Sequence, residues 1–386
     1  MTAATGTSVH DLQLLHAAQW LYAVNDEPFA PGDGDPYARL VRGFDEDTTT
    51  VLASIRARGP LWRSRLGGWV CGHHETAVLL LDHPGLAAAP AAPAGERWLP
   101  SHERQRDPAF ARALARRCAP TGTGAEHDRW RDAAGAAVSR LPTGAVELVA
   151  DLVVPLTAAV AADALEVPGE QRTGFAAALA AAAPAVDALL CPQTWAVHQR
   201  SDDALRYLRV LFRGRAHADA DLVAAVAGVR AAADVLGNAL EVLLTRPPTW
   251  ERLRRDPAHA EQIVDEVLRL APPWRAHPLV ASTPVPVAGQ EIATGETVTV
   301  VTAAAPGAPA HHLQPERFDR PGTPLPDGLP GPVLPLARDL AGHTLRALAD
   351  RFPAARPLGG AVRHRRAPIT RRLSRLPARL GEEETR

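Results

Sequence analysis

Apolar residues recur at helical spacing along most of the chain. The first such stretch is 11–24, where Leu12, Leu15, Ala18 and Leu21 share a face. Pro, Gly and Asp crowd from Pro28 to Pro36 and predict a loop. Residues 48–58 predict a helix ending near Gly59. Leu61–Arg65 and Trp69–Gly72, joined through Gly67-Gly68, predict a hairpin of two short strands. A helix over 74–81 stops at His83-Pro84. Residues 87–124 are rich in Ala, Pro, Gly and polar residues and predict a flexible segment. Helical spacing resumes from Glu126 to about Val167, broken at Leu141-Pro142, and continues over 170–190, 194–212 and 219–245. A further helix runs from Trp250 to Leu270 across an internal Asp256-Pro257.

The period changes after Pro272. Val285, Val287, Ile292, Val298 and Val300 alternate, with Gly289 and Gly295 between them, and predict short strands and turns over 279–302. Pro and Gly dominate 306–335. A last helix is expected from Leu336 to Asp350, followed by a short basic tail. No internal repeat is visible. The expected fold is mainly α with small β sheets, without the regular βα alternation of a doubly wound sheet.

Composition narrows the function. The chain has 386 residues, a formal net charge of −1 and a pI near 7.0. That balance lacks the basic footprint of a nucleic-acid binder. All 42 basic residues are Arg. Cys71, Cys118 and Cys191 are too few and too far apart for a disulfide framework or a zinc site. They are expected as small buried hydrophobes in a reducing compartment. No basic stretch precedes an apolar run at the N-terminus, and no run of about 18 apolar residues exists to span a membrane. A cytoplasmic location is expected.

Three segments of the second half stand in a recognisable order. Glu266-Val267-Leu268-Arg269 places a carboxylate and a guanidinium one helical turn apart. Pro315-Glu316-Arg317-Phe318-Asp319 follows, and then Pro335-Leu336-Ala337-Arg338, running on to Arg351-Phe352-Pro353. Glu-x-x-Arg alone is common in charged helices, where it is usually a surface ion pair. The three together resemble the Glu-x-x-Arg helix, the meander and the post-haem helix of a cytochrome P450. The resemblance implies one P450-like domain over 1–386, with Glu266, Arg269 and Arg317 as a buried structural network. Upstream, His127 and Arg131 in Glu126-His127-Asp128-Arg129-Trp130-Arg131 are similar to positions that contact haem propionates. Their other reading is ordinary helix polar contact.

The chain departs from that pattern where the chemistry lies. A P450 needs a Cys thiolate as proximal iron ligand. Counting back from Pro335, it should fall near Gly331. Residues 325–332 hold no Cys, His, Met or Tyr, and the last Cys in the chain is Cys191. The central helix signature begins at Ala227-Gly228, but Arg230 stands at the acid position and Ala231 at the alcohol position. Proton delivery needs a titratable or hydroxylic relay, which neither residue supplies. No catalytic role and no cofactor are expected.

A smaller family matches both ends of the chain. Gln19-Trp20-Leu21-Tyr22, Asn25 and Gly34-Asp35-Pro36-Tyr37 resemble the N-terminal segment of the P450-derived auxiliary proteins of natural-product glycosyltransferases. Extra residues lie between Asn25 and Gly34. Val362-Arg363-His364-Arg365-Arg366-Ala367-Pro368 resembles that family's basic run before a Pro. The resemblance implies a family-specific segment over 1–45. It also implies a non-catalytic protein that stabilises and activates a nucleotide-deoxysugar glycosyltransferase in macrolide- or anthracycline-type pathways, in a heterotetramer with two copies of each. The alternatives are a haem-binding or otherwise repurposed P450-like enzyme, and a scaffold for another partner. Trp20, Tyr22 and Tyr37 are candidates for partner contact or for core packing. The basic run from Arg363 to Arg366 is expected on a solvated face.

Overall fold

The computed structural model describes residues 9–24, 34–44, 48–87, 124–304 and 333–381. The expected helices are present, with boundaries moved by a few residues. In the N-terminal part, α1 is Val9–Val24, α2 is Pro36–Arg42, α3 is Thr49–Ala57 and α4 is His74–Leu81. The segment read as continuous helix from Glu126 to Val167 divides. Gly124–Ser139 is α5, and Val154–Ala164, entered through a π-helical turn at Val149–Val153, is α6. Between them Gly144–Glu147 forms a strand that the sequence did not reveal.

The 170–190 helix also divides, into α7 (Arg172–Ala182) and α8 (Pro184–Asp187) at Pro184, where the ring removes a backbone donor. Trp195–Leu211 is α9. The predicted 219–245 helix is α10 (Ala218–Val223), a π-helical turn at Ala224–Gly228, and α11 (Val229–Thr245). π turns inside helices are frequent at functional sites, and this one coincides with the Ala227-Gly228 signature. The helix expected to run from Trp250 to Leu270 across Asp256-Pro257 is instead two, α12 (Pro247–Arg255) and α13 (His259–Leu270), because the proline ring removes a backbone donor there. Val333–Arg351 is α14.

The hairpin and the outer strands of the 279–302 region come together, with Leu86–Ala87, in one five-stranded sheet. Numbered along the chain, Trp62–Arg63 is β1, Trp69–Cys71 is β2, Leu86–Ala87 is β3, Gly144–Glu147 is β4, His277–Ala281 is β5 and Thr297–Val300 is β8. The order is β1-β2-β8-β5-β3, antiparallel except where β2 runs parallel to β8. Val285–Val287 (β6) and Gln290–Ile292 (β7) form a separate hairpin.

The region after α14 is more than a basic tail. It contains β9 (Ala355–Pro357), β10 (Val362–Arg363), β11 (Leu373–Arg375) and β12 (Pro377–Leu380). Strand β12 lies between β4 and β9, so the end of the described chain pairs with residues more than 200 positions earlier. Glu147 ties this junction. Its carboxylate accepts from the backbone N–H of Leu376 and, at 2.8 Å, from that of Ala150.

Apolar side chains of α5, α11, α13 and α14 share one core, including Trp130, Leu236, Leu240, Val264, Leu340 and Leu345. A second core gathers α2, α3 and α7–α9 around Phe175 and Phe212. Arg351, in the Arg-Phe-Pro turn, donates at 2.9 and 2.8 Å to the carbonyls of Val138 and Leu141 at the end of α5. Val138 lies in the last turn of α5 and Leu141 just beyond its end, so the guanidinium closes off that helix.

Candidate functional site

The site sits where α11 meets α8 and the C-terminal strands. In the first turn of α11, Arg230 grips Asp234 with both arms of its guanidinium, Nε to Oδ2 at 3.0 Å and Nη2 to Oδ1 at 2.7 Å. The two stand four residues apart, a spacing at which side chains on a helix meet. Asp234 is buried. Burial raises its carboxyl to about 6, against the opposing pull of Arg230. Desolvation thus outweighs pairing, as it commonly does for interior charges.

Asp187, at the end of α8, is fully buried beside them. It accepts from the backbone N–H groups of Ile369 and Thr370, both at 3.0 Å, and from the Thr370 hydroxyl at 2.7 Å. Burial pushes its carboxyl upward, against Arg372 and these three donors. Arg372 acts on both Asp187 and Asp234. Four side chains from three separate segments therefore form one interior charged group. Asp187 interrupts the apolar run Pro184–Leu190 and Asp234 follows Arg230 at i+4; a single acid inside an apolar helix face was the available signal for both.

An acid does lie one turn beyond the usual position, but both of its oxygens are held by Arg230. Ala231 is buried and carries no hydroxyl. The arrangement binds charge and locks segments together.

Among the described residues, neither cysteine fits a haem-thiolate centre. Cys71 and Cys191 are buried, and burial raises the Cys71 thiol to about 11 and the Cys191 thiol further. A thiolate, not a thiol, is the metal ligand. Cys118 and the 325–332 loop lie outside the described residues. Arg131 is exposed and pairs with Asp128 on its own helix. His127 is on α5, with its side chain outside the described residues.

Glu266 and Arg269 form a buried ion pair on α13. The guanidinium donates to the carboxylate at 2.8 and 2.6 Å, and the two side chains are 4% and 5% exposed. Arg269 Nη1 is buried without a partner among the described residues. Arg317, the third member of the expected network, lies outside them. Arg338 adds a pair the sequence reading did not identify, bridging α14 to Asp265 on α13, with Nη2 to Oδ2 at 2.6 Å.

The N-terminal aromatics divide. Trp20 is 41% exposed. Its indole donates to His16 Nε2 at 3.0 Å, and the Arg42 guanidinium lies 4.4 Å from its ring centre. Tyr37, by contrast, takes the core reading. It is buried and its hydroxyl shares a 2.8 Å hydrogen bond with Thr299 on β8. The rest of Gly34-Asp35-Pro36-Tyr37 explains why. Asp35 Oδ1 caps α2 by accepting from Tyr37 N at 2.9 Å and Ala38 N at 3.2 Å. Its Oδ2 accepts from Ser64 Oγ at 2.6 Å and Arg65 N at 2.8 Å. Pro36 follows at the first helical position, where its missing N–H costs nothing. This signature clamps the N-terminal segment to the β1–β2 hairpin. The side chain of Tyr22 lies outside the described residues.

The basic run is not simply a solvated face. Arg363 bonds Glu241 and donates to Arg371 O at 2.8 Å, while Arg366 donates to Pro192 O at 3.0 Å. Only part of the run, including Arg365, is exposed. Gly43, at φ +68°, lets this run approach. Its carbonyl accepts from Arg366 N at 2.8 Å, and a Cβ at Gly43 would sit 2.8 Å from Arg366 Cα.

The fold is that of a cytochrome P450, with an interior charged group of Arg230, Asp234, Asp187 and Arg372 at the junction of α11, α8 and the C-terminal strands. The open cytochrome P450 EryK from S. erythraea superposes with a TM-score of 0.70 at 22% identity, over 89% of this chain and 98% of that one. The chain matches no protein-family model. It is 34% identical to protein TylM3 of Streptomyces fradiae, over 97% of this chain and 96% of that protein. It is 31% identical to protein AknT of Streptomyces galilaeus, over 93% and 92% respectively. The chain belongs to the family of P450-like glycosyltransferase auxiliary proteins that includes both.

Proposed function

We propose that this protein is a non-catalytic, haem-free auxiliary subunit in the cytoplasm. It binds a nucleotide-deoxysugar glycosyltransferase of an antibiotic pathway and holds it in its active state, two copies of each in the complex. The observation that carries this reading is similarity over nearly the full length to AknT and TylM3. The loss of the ligand cysteine and the Arg230–Asp234 pair at the oxygen-activating position support it. A partner that binds only the competent conformation of an enzyme raises that conformation's population by mass action, without touching the chemistry.

Trp20 and Leu21, 41% and 59% exposed on α1, are the contacts we assign to the transferase. Exposed aromatics beside arginines are typical anchors of interfaces. The test is co-expression with the glycosyltransferases of deoxysugar pathways, reading co-purification, turnover and the visible spectrum together. Expected are a stable complex, transferase activity that depends on this protein, and no Soret band after haem-supplemented growth. Trp20→Ala should weaken the complex while leaving the melting temperature of the free protein within a degree or two. A stoichiometric Soret band, or transferase turnover indifferent to this protein, rejects the reading.

A further inference from the structure

Arg366 stands in the left-handed region, at φ +57°, where residues other than glycine rarely sit. Such a backbone persists only where its surroundings over-determine it, and it gathers at clamps and switch segments. Four hydrogen bonds hold Arg366, and they run to three separate parts of the chain. Its N–H donates to Gly43 O at 2.8 Å, just past α2. In the link between α8 and α9, Gln193 Nε2 donates to its carbonyl at 2.9 Å and Pro192 O accepts from its Nη1 at 3.0 Å. Its Nη2 lies 3.4 Å from His16 Nε2 on α1.

The His16 end reaches the surface. The Trp20 indole donates to the same His16 Nε2 at 3.0 Å. Indole and guanidinium are donors only, so Nε2 is the acceptor of both. The Phe44 ring closes the group, 5.8 Å from the rings of His16 and Trp20 and 5.7 Å from the Arg366 guanidinium. Gln19, the next residue inward on α1, is buried and donates to Leu190 O at 3.0 Å. Leu190 follows Asp187 by three residues, and Ile369 follows Arg366 by three. Helix α1 is thus bonded next to both halves of the Asp187 clamp.

We infer that α1 is a strap fastened by Arg366, and that this fastening fixes the orientation in which Trp20 faces a protein partner. Arg366 is a positioning residue. It is bonded inward to the α8–α9 link and outward to His16, which holds the Trp20 indole. The strap is a property of the free chain; its use in presenting Trp20 rests on the glycosyltransferase reading.

The test is hydrogen exchange of the free full chain, followed by co-purification with the glycosyltransferase. Arg366→Gly keeps both backbone bonds, removes the side-chain ones and relieves the left-handed backbone. Its melting temperature should stay close to that of the unaltered protein, while the amides of α1 exchange several-fold faster and those of α5, α11 and α14 do not change. The complex should weaken as it does for Trp20→Ala. His16→Phe keeps an aromatic ring beside Phe44 and loses the acceptor. It should free α1 in the same way, and it serves if Arg366→Gly does not fold. Unchanged α1 exchange in these variants, or an equal rise in every helix, overturns the strap. Faster α1 exchange with an undiminished complex overturns its role in presenting Trp20. If the unaltered protein forms no complex with any transferase, the glycosyltransferase reading fails, and exchange alone decides the strap.

Discussion

Arg230 and Asp234 lie one helical turn apart on α11 and form a two-armed ion pair, Nη2 to Oδ1 at 2.7 Å, inside the protein. The carboxylate of Asp234 neutralises the Arg230 guanidinium on the same helix. Through Arg372 the pair is coupled to Asp187 and so to the C-terminal strands. The group holds three parts of the chain together.

The Asp234 carboxyl sets a pH dependence. Its folded value of about 6 lies above the unfolded value of 3.8. Between these two, the folded state binds more protons than the unfolded one, so stability falls as pH rises from about 4 to about 6 and then levels. The shift corresponds to about 3 kcal/mol in order of magnitude. Asp234→Asn should flatten this part of the profile relative to the unaltered protein. Urea unfolding at several pH values between 4 and 7 measures it. Parallel profiles for the two proteins would mean that Asp234 is not the titrating group.

Asp187 fastens the C-terminal strands to α8 through three donors on Ile369 and Thr370. Asp187→Ala leaves two buried N–H groups unsatisfied and is expected to cost about 2–4 kcal/mol, more than a single neutral hydrogen bond. Thr370→Val removes only the hydroxyl and should cost about 1 kcal/mol. Hydrogen exchange should show the loss in Asp187→Ala concentrated in β10–β12. Equal protection loss across all helices would contradict a local clamp.

The buried Glu266–Arg269 pair should resemble other interior ion pairs broken by half. Glu266→Ala leaves an unpaired guanidinium and is expected to cost about 3–5 kcal/mol. Soluble yield and the urea midpoint report it. A Glu266→Ala protein with unchanged yield and midpoint would show that the pair does not support the fold.

Glu266 and Arg269 illustrate what was legible without coordinates: a spacing of three on a helix forces two side chains onto one face, and the pair is found there. Helices α1, α3, α4, α9, α13 and α14 were legible for the same reason, since a 3.6-residue period survives in the sequence as a pattern. The missing ligand cysteine is likewise a matter of composition. Strand β4 and strands β9–β12 were not legible. They are two to four residues long, and β12 finds its partner β4 more than 200 residues away. No local pattern encodes such a pairing.

Burial was the other decision left to the tertiary structure. Trp20 and Tyr37 stood as equals on the sequence, both aromatics of an N-terminal segment. Asp35 capped α2 and tied it to Ser64 and Arg65, and that clamp carried Tyr37 inward to Thr299 while Trp20 stayed at the surface. Residue order along the chain determined where helices form, because helical spacing is local. Which charges are buried, and which of them meet, as Asp187 and Arg372 meet the Arg230–Asp234 pair, depends on segments brought together from distant parts of the chain, and only the packed structure decides that.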